Sequence, residues 1–268
     1  MATKDQHLAL SSGLGLAGIA VSNFWDCGSE AMNTFKEDII ISILKPNKET
    51  AIHHYLNFFQ NIEEEVDMMW KNTDLDEAYE FIFRTLEEVK LKPDLPEPNF
   101  ESCEEDCGHF DCECNEIVMQ WIAYVSKNLD EIDKLIKHSA FQFIFQDRNF
   151  LHNFHIELAN LIEREMNYIK ANYPEFVTAK NKLRRKTFPV WLKQAVFYRD
   201  KGTCAICRCD LSNLVRTQNT IHIDHIVPLE LFGTNDASNM QLLCETCNTS
   251  KGARSTATSS INVPYWNL

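Results

Sequence analysis

Near its C-terminal end the chain gathers residue types that can activate water and hold cations. Asp224 and His225 are adjacent, Asn239 follows, and Cys244-x-x-Cys247-Asn248 comes next, with Lys251 and Arg254 beyond. Upstream, Cys204-x-x-Cys207 repeats the cysteine spacing. An imidazole titrates near neutral pH and, when uncharged, can take a proton from water. A carboxylate and an amide oxygen are hard ligands suited to Mg²⁺ or Mn²⁺, leaving positions for water and phosphate. The four thiols fit a tetrahedral structural zinc. Phosphodiester hydrolysis needs such a pairing, a base for water and a cation at the phosphate. The plainer alternatives are free core thiols and a zinc-stapled module without catalysis.

These residues need a scaffold to converge. Thirty-six residues separate the two CxxC pairs, so something structured must loop between them. The segment TIHIDHIVPL reads as a strand closed by Pro228. In a regular strand Asp224 and His225 would face opposite sides, so the strand must end or twist there. His222 would share the face of Asp224, either touching metal or nucleic acid or serving as an ordinary strand histidine. Lys251 and Arg254, three apart on an expected final helix, would share a face and could grip phosphates. Cys209 lies too close to Cys207 to replace a knuckle member and reads as a spare.

The motifs RDKGTCAIC, IDHIVPLELFG and SNMQLLCETCNTSKG, over about residues 190–254, resemble the HNH endonucleases. These are ββα-metal nucleases, here in the subset with a four-cysteine zinc site. The resemblance implies His225 as general base, Asp224 and Asn248 as ligands of a catalytic Mg²⁺ or Mn²⁺, and Asn239 as a brace for His225 or its loop. It implies zinc on Cys204, Cys207, Cys244 and Cys247. Two departures, LFG after Pro228 and Met240 after Asn239, touch none of these residues.

Charge divides the chain. The sequence holds 26 Lys and Arg against 39 Asp and Glu, a net charge of −13. Residues 181–268 carry 11 basic and 6 acidic residues, whereas residues 1–180 carry 15 and 33. That asymmetry predicts an acidic domain over 1–180 and a basic nuclease domain over 181–268. Only the basic part could comfortably approach a phosphate backbone. Arg184, Arg185 and Lys186 lie in a basic run at the junction and are candidates for phosphate contact, the alternative being a solvated linker.

The N-terminal part reads as an all-α bundle, giving a mainly α chain with a small C-terminal α+β domain. Helical spacing predicts a helix ending before Pro46, one over 49–71, one over 74–91 opened by a Thr73–Asp76 capping box, then 116–139 and 141–172. Gly13, Gly15 and Gly18 form a nominal GxGxxG, but no strand precedes them, which favours close packing over dinucleotide binding. Between helices, Cys103, Cys107, His109, Cys112 and Cys114 crowd a proline-punctuated loop and could bind a second zinc or stay unliganded. The apolar run 8–21 is too short to span a bilayer. Together with CxxC spacing suited to metal in a reducing compartment, this predicts a cytoplasmic protein with no membrane partner.

The expected function is DNA cleavage in a prokaryotic restriction or anti-phage setting, with a mobile-element nuclease second. The acidic bundle would repel DNA, so it is expected to bind a protein partner, self-associate or restrain the nuclease. A non-catalytic zinc adaptor is the contrasting reading.

Overall fold

The computed structural model describes residues 13–72, 74–103, 112–212 and 220–259. Its helices are α1 (Gly13–Ser22), α2 (Phe24–Thr34), α3 (Lys36–Ile43), α4 (Ala51–Leu56), α5 (Ile62–Asn72), α6 (Leu75–Glu88), α7 (Glu113–Lys127), α8 (Leu129–Ile144), α9 (Arg148–Asn172), α10 (Val190–Arg199) and α11 (Glu245–Lys251). Strands β1 (Ile221–His225) and β2 (Met240–Cys244) form a two-stranded antiparallel sheet. The chain is therefore mainly α with a small C-terminal α+β element. Among the described residues no helix is long and apolar enough to cross a membrane.

Two compact units interleave along the sequence. One comprises Met1–Asn23 and Leu56–Phe143, the other Phe24–Tyr55 and Ile144–Leu268. The division expected at residue 180 follows charge and motif, whereas compactness cuts the chain elsewhere. Helices from the acidic half share a unit with the C-terminal residues.

Several helices are shorter than their apolar spacing predicts, because asparagine and aspartate caps set their ends. The helix expected over 49–71 is two helices. Phe58 and Phe59 turn inward between them, and the Asn61 side chain accepts from the Glu64 amide to start α5. The helix expected over 116–139 breaks at Asn128, whose amide closes α7 on Tyr124 and Val125 while its carbonyl opens α8. Asp147 caps α9 through the Phe150 amide at 3.0 Å, so that helix begins at Arg148 rather than near 141. Thr73 lies outside the described residues; α6 begins behind Asp74, whose side chain makes no cap hydrogen bond. The glycines at 13, 15 and 18 sit within α1, and a Cβ on Gly13 would come 2.3 Å from Ser139 Oγ. That is the close packing expected of a small-residue segment.

In the second unit Phe24, Tyr55, Phe150 and Phe154 form an aromatic cluster, with Phe24 and Phe150 centroids 5.2 Å apart. The sheet builds a separate core, in which Leu192 and Val196 of α10 pack with Leu211, Met240, Leu242 and Leu243. Asp200 ties this core to α9. Its buried carboxylate accepts from the Leu242 amide at 2.7 Å and pairs with Arg148 at 2.8 Å and Arg199 at 2.7 Å. Breaking one arm of such a fully buried cluster leaves a charge uncompensated.

Candidate active site and zinc knuckle

The sheet register sets the site. Ile221 pairs with Cys244 and His225 with Met240, so β1 ends at His225 and β2 delivers Cys244 to the start of α11. Asp224 and His225 are the last two paired residues of β1, opposite Gln241 and Met240. Ala205 donates to Leu242 O at 2.7 Å, bringing the first CxxC turn to the same strand.

The sulfurs of Cys204, Cys207, Cys244 and Cys247 lie within 4.8 Å of one another. Cys207 and Cys244 Sγ are 3.7 Å apart, close to the edge of roughly 3.8 Å that a tetrahedron with Zn–S bonds near 2.3 Å requires. Burial opposes ionisation of Cys204, but backbone N–H groups of Cys244, Cys207 and Ile206 outweigh it and bring that thiol down to about 7. Cys244 Sγ also caps α11 through the Cys247 amide. The donor set and its geometry fit zinc. Cys209 stays outside this four-sulfur group.

His225 is buried, 3% exposed, with the Phe188 ring 5.5 Å away. Its Nε2 has no hydrogen-bond partner, an orphaned nitrogen of the kind that ligands satisfy. Burial chiefly, then the Arg185 and Lys251 charges, pushes its pKa down to about 4, against the pull of Asp224 and Asn235. The imidazole is therefore neutral at physiological pH, the form a base requires.

Lys251 lies elsewhere than its sequence position suggests. Its side chain is buried, with Nζ 2.9 Å from Asp224 Oδ2 and 2.8 Å from His225 O. The Asp224 carboxylate also accepts from Gln241 at 3.3 Å. A carboxylate at the strand end draws in the nearest cation, so Lys251 faces the site instead of sharing an outer face with Arg254. Since α11 ends at Lys251, Arg254 lies past the helix and is exposed. Asn248, half-buried, stands three residues before Lys251 on α11 and so shares its side of the helix. Asp224 and Asn248 offer oxygen donors suited to a hard divalent ion.

Asn239 braces the loop between the strands. Its amide donates to Val227 O and Thr234 O at 3.0 and 2.9 Å and accepts from Val227 N at 2.9 Å. That loop turns tightly at Gly233, where a Cβ would lie 1.8 Å from Val227 O. Gly233→Ala is therefore expected to destabilise the protein by about 3 kcal/mol, because backbone has to move. Thermal unfolding measures this, and a melting temperature equal to the parent's refutes the close approach.

The polar residues after Gly233 carry roles that sequence reading missed. Asp236 accepts from the Ala51 amide at 2.7 Å and from Ser238 N at 2.8 Å, and Ser238 Oγ meets His155 Nε2 at 2.9 Å. The Asn235 side chain donates to Leu44 O at 3.2 Å and Arg184 O at 2.9 Å. These side chains fasten the loop to α4, α9 and the basic run. The only sequence signal was a tract of small polar residues, which normally reads as solvated.

His155 is wholly buried, and burial, with Arg199 and His225 adding, lowers its pKa to about 3. Both imidazoles are thus neutral when folded and take up protons when unfolded. Their contribution is complete above the unfolded value near 6.5 and is lost as pH falls toward 4. Unfolding free energy is expected to drop by on the order of 4 kcal/mol between pH 6.5 and 5, read by urea denaturation. A flat profile over that interval contradicts it.

The junction residues separate. Arg184 and Arg185 are exposed, Arg185 lies over the Phe188 ring at 5.4 Å, and Lys186 Nζ lies over Phe176 at 4.3 Å. In the other unit, Cys103, Cys112 and Cys114 bring their sulfurs within 4.8 Å. Cys107 and His109 lie outside the described residues.

Strand, loop, strand and helix surround a group of four thiols that could hold zinc. Residues 204–254 match the HNH endonuclease family, and this C-terminal stretch is an HNH endonuclease domain. No curated protein and no solved structure matches the chain.

Proposed function

We propose that the protein is a metal-dependent HNH endonuclease that hydrolyses phosphodiester bonds in DNA. One observation carries this reading: a neutral, orphaned imidazole stands beside a carboxylate at a strand end, within a region matching HNH nucleases. His225 takes the proton from the attacking water through Nε2. Asp224 and Asn248 would hold a Mg²⁺ or Mn²⁺ ion, which when bound would supply positive charge at the phosphate and departing oxygen. Lys251 keeps Asp224 in place and adds charge to the pocket. Asn239 fixes the loop that follows the base. Arg184, Arg185, Lys186 and Arg254 draw in the phosphate backbone. Zinc on the four knuckle cysteines holds β2, α11 and the first CxxC turn in register.

His225 is buried, with the Phe188 ring 5.5 Å away, which supports a nuclease held closed until a trigger acts. The helical part is the natural place for such a trigger, a protein partner or self-association. A restrained HNH nuclease joined to an acidic helical module suits a restriction or anti-phage role. The same burial favours, as second reading, a zinc-stapled adaptor without catalysis. Cys103, Cys112 and Cys114, whose sulfurs converge, are proposed as ligands of a second zinc, so elemental analysis should give two zinc ions per chain and one for Cys112→Ser.

The deciding experiment incubates purified protein with supercoiled plasmid and Mg²⁺ or Mn²⁺, beside an EDTA control. Metal-dependent nicking or linearisation supports the enzyme. Intact plasmid under every condition, including added cell extract and nucleotides, gives the adaptor its place.

A further inference from the structure

Beside β1 the HNH-bearing unit opens a groove of about 820 Å³ that none of the roles above explains. Arg185, Lys186 and Lys193 line it, and among the described residues its lining contains no aspartate or glutamate. The rest of the wall is largely aromatic and aliphatic. Tyr198, on α10, is 75% exposed, and Val190 at the start of that helix is 69% exposed. Large apolar side chains left open together usually await an occupant. His222 also lines the groove, and its Nε2 has no hydrogen-bond partner. At one end lies Phe188, the ring that covers His225.

Charge and shape together select the occupant. A regular duplex shows a protein mainly its phosphates, and a flat basic surface suffices to hold it. A recess of this size, apolar within and cationic around, suits a group with a flat π face and an attached anion. An unstacked nucleotide is such a group, and aromatic side chains in positively charged grooves are the usual platform for single strands. We propose that the groove holds unpaired nucleotides adjoining the phosphate presented to His225. The preferred substrate is then nucleic acid with a single-stranded stretch. The proposal rests on the nuclease reading for what happens at His225, but not for the binding itself.

The test uses the full zinc-loaded chain in buffer without Mg²⁺ or Mn²⁺, so that nothing is cut, with a labelled mixed-sequence single strand and its blunt duplex followed by fluorescence anisotropy. The single strand is expected to bind at least about 10-fold more tightly than the duplex. Tyr198→Ala is expected to weaken single-strand binding about 5- to 100-fold and to leave duplex binding unchanged, one stacked base accounting for that range. Lys193→Glu should weaken single-strand binding and flatten its salt dependence. Unchanged zinc content and melting temperature establish that the variants are folded. Equal affinity for the two probes overturns the proposal, as does a Tyr198→Ala protein that binds like the parent. Sedimentation showing that the groove is closed by a second copy, relieved by Tyr198→Ala, also overturns it. Tight single-strand binding without cleavage of any nucleic acid leaves the groove standing and removes the nuclease. Plasmid cleavage without single-strand preference does the reverse.

Discussion

Replacing His225 by alanine is expected to slow cleavage by about 10²- to 10⁴-fold, the usual contribution of a positioned general base. The expectation follows from the state of the ring. Burial and the Arg185 charge hold it neutral at working pH, and its Nε2 has no partner inside the protein. The zinc knuckle should survive, because none of its four sulfurs depends on this imidazole. The measurement compares initial rates on plasmid at saturating metal, with zinc content determined in parallel. A variant that cuts at the parental rate removes His225 from the chemistry. A variant that loses its zinc points instead to a structural imidazole.

Substitution of Cys244 by serine is expected to have the largest effect on folding. Cys244 joins three features: it pairs with Ile221 across the sheet, caps α11 through the Cys247 amide, and belongs to the four-sulfur group. Structural zinc binding contributes about 10 kcal/mol or more in small domains that fold around it. The variant should lose one zinc ion per chain and expose the hydrophobic contacts of Leu242 and Leu243, seen as an early unfolding transition. Serine keeps the size of the side chain, so the loss is that of the sulfur ligand. Retention of zinc with an unchanged unfolding curve contradicts the knuckle.

Much of this site was legible in residue types and spacing. Two CxxC turns flanking Asp-His and ending in Cys-Asn define a zinc clamp and a set of hard ligands in any fold that lets them meet. The strand had to stop near His225, and it does. Helical character was equally plain, but helix ends were not, because Asn61 and Asn128 act through local capping that apolar periodicity does not register. Lys251 was misleading for a related reason. A lysine near a basic helix end looks like a surface charge, and only the register of β1 against β2 places a carboxylate within its reach. Cysteines in the acidic loop gave no ordering among themselves until Cys112 and Cys114 were set at the start of α7, facing Cys103. The tract 234–238 was least legible, since the partners of its side chains lie as far as 191 positions away.

That tract also bears on how small a working nuclease can be made. A fragment starting at residue 181 would keep every motif of the HNH match yet strip Asp236 of the Ala51 amide, Asn235 of the Leu44 carbonyl and Ser238 of His155. An acidic group built for a dry interior would then face water with one of its three hydrogen bonds unmade, just before the asparagine that steadies the turn. Residues 44–51 and α9 thus act as the outer wall of the HNH-matching stretch, and excising it at the charge boundary would open that wall.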